Sequence, residues 1–152
     1  MKHLPKVCFL TIALCSFSYE KISAEPVKID ISYAELIDKI TILKIKSERI
    51  TDPEKLKNVL AELALLLKTA EDTIGPRTDI AALMQELKAV NETLWDIEDL
   101  IRIKERIQDF GDEFIELARN VYRTNDQRFM VKKKIDMLLG SSITEEKSYE
   151  GY

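Results

Sequence analysis

DIAALMQELKAVNETLWDIEDLI (79–101) carries an apolar side chain at Ile80, Leu83, Leu87, Val90, Leu94, Ile97 and Ile101, in unbroken steps of three and four. Such steps keep side chains on one face of a 3.6-residue helix, whereas a strand needs steps of two. The stretch therefore predicts a helix of about six turns. Asp79 is the expected cap at its start, and Gly111 followed by Asp112 reads as a stop and a new cap. Beyond it Phe114, Leu117, Val121, Val131, Ile135 and Leu138 mark a fourth helix, ending at Gly140.

Upstream the same spacing occurs twice more. Ser32-Tyr33-Ala34-Glu35 reads as a capping box, in which the serine takes a first-turn amide and the glutamate reaches back to the cap. Leu36, Ile40, Leu43 and Ile50, with Ser47 completing the seam, predict a helix over 32–50. Asp52-Pro53 restarts the chain, since aspartate caps and proline at the first helical position loses no hydrogen bond. Leu56, Val59, Leu63, Leu66, Ala70 and Ile74 then run to the break at Gly75-Pro76. The expected fold is all-α, a four-helix bundle of two antiparallel helical hairpins, over 32–140. The second pair, about 45 Å long against about 30 Å for the first, is coiled-coil-like. It should protrude or pair with a second copy, provided Gly111 is a turn rather than a kink in one long helix.

The chain begins with Lys2 and Lys6, then the apolar run VCFLTIALCSFSY (7–19), then Ile22-Ser23-Ala24 before Glu25-Pro26. These are the three zones of a secretory signal. The apolar run is shorter than the roughly 20 residues that span a bilayer. Cleavage after Ala24 gives a signal peptide over 1–24, a linker over 25–31, and a periplasmic or secreted protein with no integral membrane span. An uncleaved anchor or a cytoplasmic extension is the alternative reading. Ile12-Ala13-Leu14-Cys15 is a poor lipobox, because Leu14 stands where a small residue is wanted.

His3 is the sole histidine, and Cys8 and Cys15 are the sole cysteines. The mature part thus has no disulfide, no thiol nucleophile and no imidazole base, and its fold rests on its core. Three lysines against Glu20 in residues 1–24 make the remainder two units more negative than the −4 of the whole chain. That balance argues against nucleic acid or anionic lipid as partner. Lys132-Lys133-Lys134 reads as a solvated face. Ser141–Tyr152 is polar, a disordered tail by default and a docking peptide on the sharper reading.

Thr124 and Arg128 break the fourth seam where apolar residues are expected. Arginine there needs a partner. Residues equidistant from Gly111 should share a height, so Asp99 faces Arg123, Trp95 faces Gln127, Asp96 faces Asp126, and Glu92 comes within a turn of Arg128. The candidate binding belt is therefore Asn91, Glu92, Trp95, Asp96, Asp99, Tyr122, Arg123, Asn125 and Arg128. It has two readings: an ion-pair belt that fixes register, or a recognition site for a partner or a small polar ligand. Asp96/Asp99 and Glu113/Glu116 lie about 15 Å apart in height, too far for one Mg²⁺. A chorismate-mutase-like site would need more convergent cations than Arg123, Arg128, Arg119 and Arg102 supply. No catalytic residue, metal ligand or cofactor is expected.

ELIDKITIL (35–43), VNETLWDIED (90–99), DFGDEFIELARNVYRTND (109–126) and EEKSY (145–149) resemble a bacterial family catalogued only as a domain of unknown function. The resemblance covers about residues 29–152, and WDIED and VYRTND are its most specific pieces. It implies a small all-helical protein with no activity to carry over, and a link to cell-surface polysaccharide genes. Its pattern begins near Ile29, so the signal-like extension departs from it. The expected function is a non-enzymatic exported interaction or scaffold protein, with a protein partner or self-association. The alternatives are a small-molecule binder or enzyme using the belt, with a phosphorylated or carboxylated metabolite, or a cytoplasmic accessory protein of surface polysaccharide synthesis.

Overall fold

The computed structural model describes residues 26–151, so the proposed signal peptide lies outside the described residues. The described residues form four helices, α1 (Tyr33–Arg49), α2 (Pro53–Thr73), α3 (Thr78–Arg106) and α4 (Asp112–Leu139), and no strand. Among the described residues no helix is long and apolar enough to cross a membrane.

The helix ends follow local chemistry. Ser32 Oγ accepts from the Glu35 amide at 3.2 Å, which is half of a capping box. The other half is missing because the Glu35 carboxylate turns to Lys132 on α4. Asp52 Oδ1 accepts from the amides of Glu54 and Lys55 at 3.0 and 3.1 Å, with Pro53 opening α2. Gly75 and Gly140 take the left-handed conformation, at φ 69° and 64°, where a side chain would be strained.

Two expected boundaries move. Asp79 is not the cap of α3; that place falls to Arg77, and Asp79 instead pairs with the Arg77 guanidinium and accepts from the Ile80 amide. α3 stops at Arg106, before Gly111, with Gln108 at φ 57° making the turn. Gly111 is the extended residue that opens α4. The chain therefore turns here, and it does not continue as one kinked helix.

Among the described residues α1 packs against the three other helices, and α3 packs along α4, while α2 packs against α1 alone. The core is correspondingly three-sided: Ala34 and Ile37 of α1, Ile80 and Leu87 of α3, Val131 and Ile135 of α4. Ile74, Leu83, Met84 and Leu139 close its edges. α2 places a single buried residue, Val59. Its stripe is satisfied by one neighbour, so the core is not shared evenly among four helices.

Beyond α1 the long helices have only each other. No residue from 98 to 123 is buried. Leu100, Ile103, Ile107, Phe110 and Ile115 are all exposed there, so this end protrudes. Glu86 meets Lys134 at 3.1 Å and Lys104 meets Glu113, ion pairs that join α3 to α4 at both ends of this stretch.

The contrast between core and protrusion predicts two mutational outcomes. Leu87→Ala, at a fully buried site, should lower stability by about 2–5 kcal/mol in chemical denaturation. Leu100→Ala, 45% exposed, should stay within about 0.5 kcal/mol of the parent.

Candidate functional site

Residues four apart on a helix stand above one another, so Arg128, Lys132 and Asp136 form one column on α4. All three engage the first two turns of α1. Asp136 Oδ1 accepts from the Ala34 amide at 2.8 Å, capping α1 from another helix. Lys132 lies between Glu35 and Glu145, the latter at 2.5 Å. The Arg128 guanidinium meets the Asp38 carboxylate through Nε at 3.0 Å and through Nη2. Asp38 is 2% exposed. Its carboxylate also accepts from Asn91 Nδ2 at 2.8 Å, and that amide reaches Thr41 Oγ1 at 2.9 Å.

A buried carboxylate costs several kcal/mol unless it is paired and hydrogen-bonded. Asp38 has both, and among the described residues no buried side-chain polar atom lacks a partner. The hydrogen bond to Asp38 outweighs burial and raises the Arg128 pKa above its ordinary value. For Lys132 burial acts to lower the pKa, but hydrogen bonds to Glu145 and Glu35 together prevail and raise it.

Two depressions meet at this network. One, of about 440 Å³, lies among α1, α3 and α4, with Asn91, Trp95, Asp99, Arg102, Asn125 and Arg128 in its wall. The other, of about 1080 Å³, runs along α4 past Tyr122, Phe129 and Lys132 and is walled by the C-terminal segment. Asn125 and Arg128 line both.

That C-terminal segment has no helix or strand, yet it is not loose as the composition suggested. Lys147 Nζ donates to the Asn125 carbonyl at 3.1 Å and lies 5.1 Å from the Phe129 ring centre. Lys133 meets Glu146 at 3.5 Å. Lysines and acids alternate between α4 and the tail, and pairing pins a segment that lacks apolar anchors.

Of the expected belt, the structure gathers Asn91, Trp95, Asp99, Asn125 and Arg128 around the smaller depression. Trp95 is half-buried, with the Arg49 guanidinium 5.7 Å from its ring centre. Arg49 also takes Asp96, and Asp126 lies 3.8 Å from Lys147 of the C-terminal segment. Glu92 pairs with Lys88 rather than Arg128. Arg123 reaches Glu116 at 3.7 Å and lines a different depression with Glu86 and Val90, so the pairing with Asp99 is absent. Tyr122 lines the larger depression, with the Arg123 guanidinium 5.9 Å from its ring centre.

Sequence reasoning missed Glu35, Asp38, Lys132 and Asp136. The Lys132-Lys133-Lys134 run is not a uniformly solvated face, since Lys132 is 5% exposed. Asp38 did leave a signal, an acid set between Ile37 and Ile40. Its partner could not be read without knowing that α1 lies on α4. Among the described residues no three His, Cys, Asp or Glu side chains are grouped to hold a metal ion. The geometry supplies hydrogen-bonding and aromatic surfaces beside cations that are already neutralised.

Residues 27–152 match a family described as a family of unknown function (DUF6165), and the chain belongs to that family. No protein of curated function matches the chain, and no solved structure does.

Asp38→Ala leaves Arg128 facing a cavity without its counter-charge and should cost about 3 kcal/mol in urea unfolding. Asp38→Leu combined with Arg128→Met should recover much of that loss. Lys132 also makes a prediction about pH. A lysine pKa raised on folding adds stability that is complete below the unfolded value of about 10.4 and is lost as pH rises through the folded value. Urea midpoints measured from pH 8 to pH 11 should therefore fall more steeply for the parent than for Lys132→Met.

Proposed function

We propose that this member of the DUF6165 family is a non-enzymatic helical interaction protein, exported from the cytoplasm. Its partner would dock over Trp95, Asp99, Asn125 and Arg128. On this reading the fold is two antiparallel hairpins, and the second, coiled-coil-like pair carries the docking surface. The direct ion pair between Lys39 and Glu62 at 2.8 Å supports the first hairpin, and that between Glu86 and Lys134 supports the second.

One observation carries the reading. The cations around the cleft are spent inside the chain: Arg128 on Asp38, Lys132 on Glu35 and Glu145, Arg49 on Asp96, Lys88 on Glu48 and Glu92. Catalysis of an anionic substrate needs uncommitted charge where the transition state develops it. A protein interface needs a half-buried aromatic anchor with amides and a polar rim, which Trp95, Asn91, Asn125 and Asp99 supply. Export rests on the signal-like sequence of residues 1–24.

The larger depression favours a second reading, a small-molecule binder, because about 1080 Å³ reaches the size of ligand pockets. A phosphorylated or carboxylated metabolite would then have to compete with Asp38 and Glu145 for the cations. A cytoplasmic accessory role in surface polysaccharide synthesis would require residues 1–24 to be retained.

Cross-linked cells carrying the tagged chain should yield a stoichiometric partner and a mature N-terminus at Glu25. Trp95→Ala should weaken capture of that partner at least tenfold, with helicity by circular dichroism unchanged. Recovery of the chain alone, unchanged capture by the variant, or an intact Met1 would each remove a stated part of the proposal.

A further inference from the structure

α2 holds a second apolar seam that the fold leaves half uncovered. Leu56, Leu60, Leu63, Leu67, Ala70 and Ile74 alternate steps of four and three. In heptad terms Leu60 and Leu67 are a positions, and Leu56, Leu63 and Ala70 are d. The g flank, with Val59 buried and Leu66 half-buried, is the side α1 covers. The a positions are open: Leu60 is 48% and Leu67 is 40% exposed. Among the described residues α2 has no helix neighbour besides α1, and no α2 residue lines either depression at Arg128.

The open e flank reads Lys57, Ala64, Glu71, a basic residue, a small one and an acidic one at intervals of seven. This order is self-complementary. Reversing one of two identical helices brings e against e, so Lys57 meets Glu71 of the second copy, Ala64 meets Ala64, and Glu71 meets Lys57. The same register stacks Leu60 on Ala70 and Leu63 on Leu67, which covers Leu60 and Leu67 and leaves Leu65, at an f position, outside the seam. A parallel pairing would instead set Lys57 and Glu71 against the g flank, where Val59, Leu66 and Thr73 offer no charge. Among the described residues neither Lys57 nor Glu71 has an ion-pair partner in its own chain.

We infer that α2 is a self-association surface, on which a second copy of this chain docks antiparallel about a two-fold axis near Ala64. Such an axis gives an isologous, closed dimer. The dimer places four helices side by side, two α1/α2 pairs, and leaves the long α3/α4 protrusions and the Trp95 cleft free. The inference does not depend on the proposed partner of that cleft.

Sedimentation equilibrium on the full chain, in reducing buffer so that Cys8 and Cys15 stay unlinked, tests it. The parent should be dimeric at ~100 µM, and Lys57→Glu and Glu71→Lys should each weaken the dimer roughly threefold to tenfold. The double variant, carrying both exchanges, should regain parental affinity, because the pairs reform with signs reversed. Leu67→Glu should give a monomer with parental helicity. A monomeric parent at that concentration overturns the inference. So does association that none of the α2 substitutions moves, or a double variant no tighter than the single ones.

Discussion

The contact between Asp38 and Arg128 is the constraint on which the arrangement depends. It joins the second turn of α1 to the middle of α4, and Asn91 brings α3 to the same carboxylate. A carboxylate that is 2% exposed tolerates no slippage of its partners, because one residue of register would leave a charge unpaired in the interior. An apolar core alone is more forgiving, since leucine and isoleucine faces accept several rotations. The network therefore fixes which way α1 lies, and Lys132 and Asp136 repeat the fastening one and two turns further along α4.

Docking α1 this way has two structural consequences. The core ends where α1 ends, so the distal halves of α3 and α4 support each other with no third helix over them. α1 also separates α2 from α3 and α4. An interior with three walls suffices for the core cluster, and it leaves α2 with an uncovered flank. The protein thus presents three surfaces of different character: a cleft of amides and aromatics, a protrusion on which exposed apolar side chains are interspersed with charged ones, and a leucine seam with alternating charge. Each follows from the position of a single short helix.

The belt around Trp95 was legible in part. Its existence followed from Thr124 and Arg128 interrupting a seam, and Asn91, Trp95, Asp99, Asn125 and Arg128 do come together. The equal-height rule bears only on position along the helix axis, where the ion pairs Glu86–Lys134 and Lys104–Glu113 are centred at different points, residue 110 and between residues 108 and 109. It failed around the axis, where it says nothing about side. Arg123 shares the height of the cleft but points toward Glu116 and Val90, and Arg49 takes Asp96 from an element the rule ignored. The buried lysine was illegible for a related reason: three consecutive lysines look alike until a neighbour covers one of the three directions they point in.

The sequence by itself determined the four helices and the ends at Ser32, Asp52, Gly75 and Gly140, which depend on residues within about one turn of each other, but not the start of α3 or its stop before Gly111. It also determined that the protein holds together without disulfides beyond residue 24, and that an arginine in the fourth seam must find an acid. Only the tertiary structure decided which acid, because Asp38 lies 90 residues away. It decided likewise that Lys132 is buried, that the tail is pinned, and that α2 stands on one neighbour alone. Helical periodicity encodes which face of a segment is apolar, but not which segment that face will meet. That choice is settled by long-range pairing of charge and shape, which appears only once all the elements are packed.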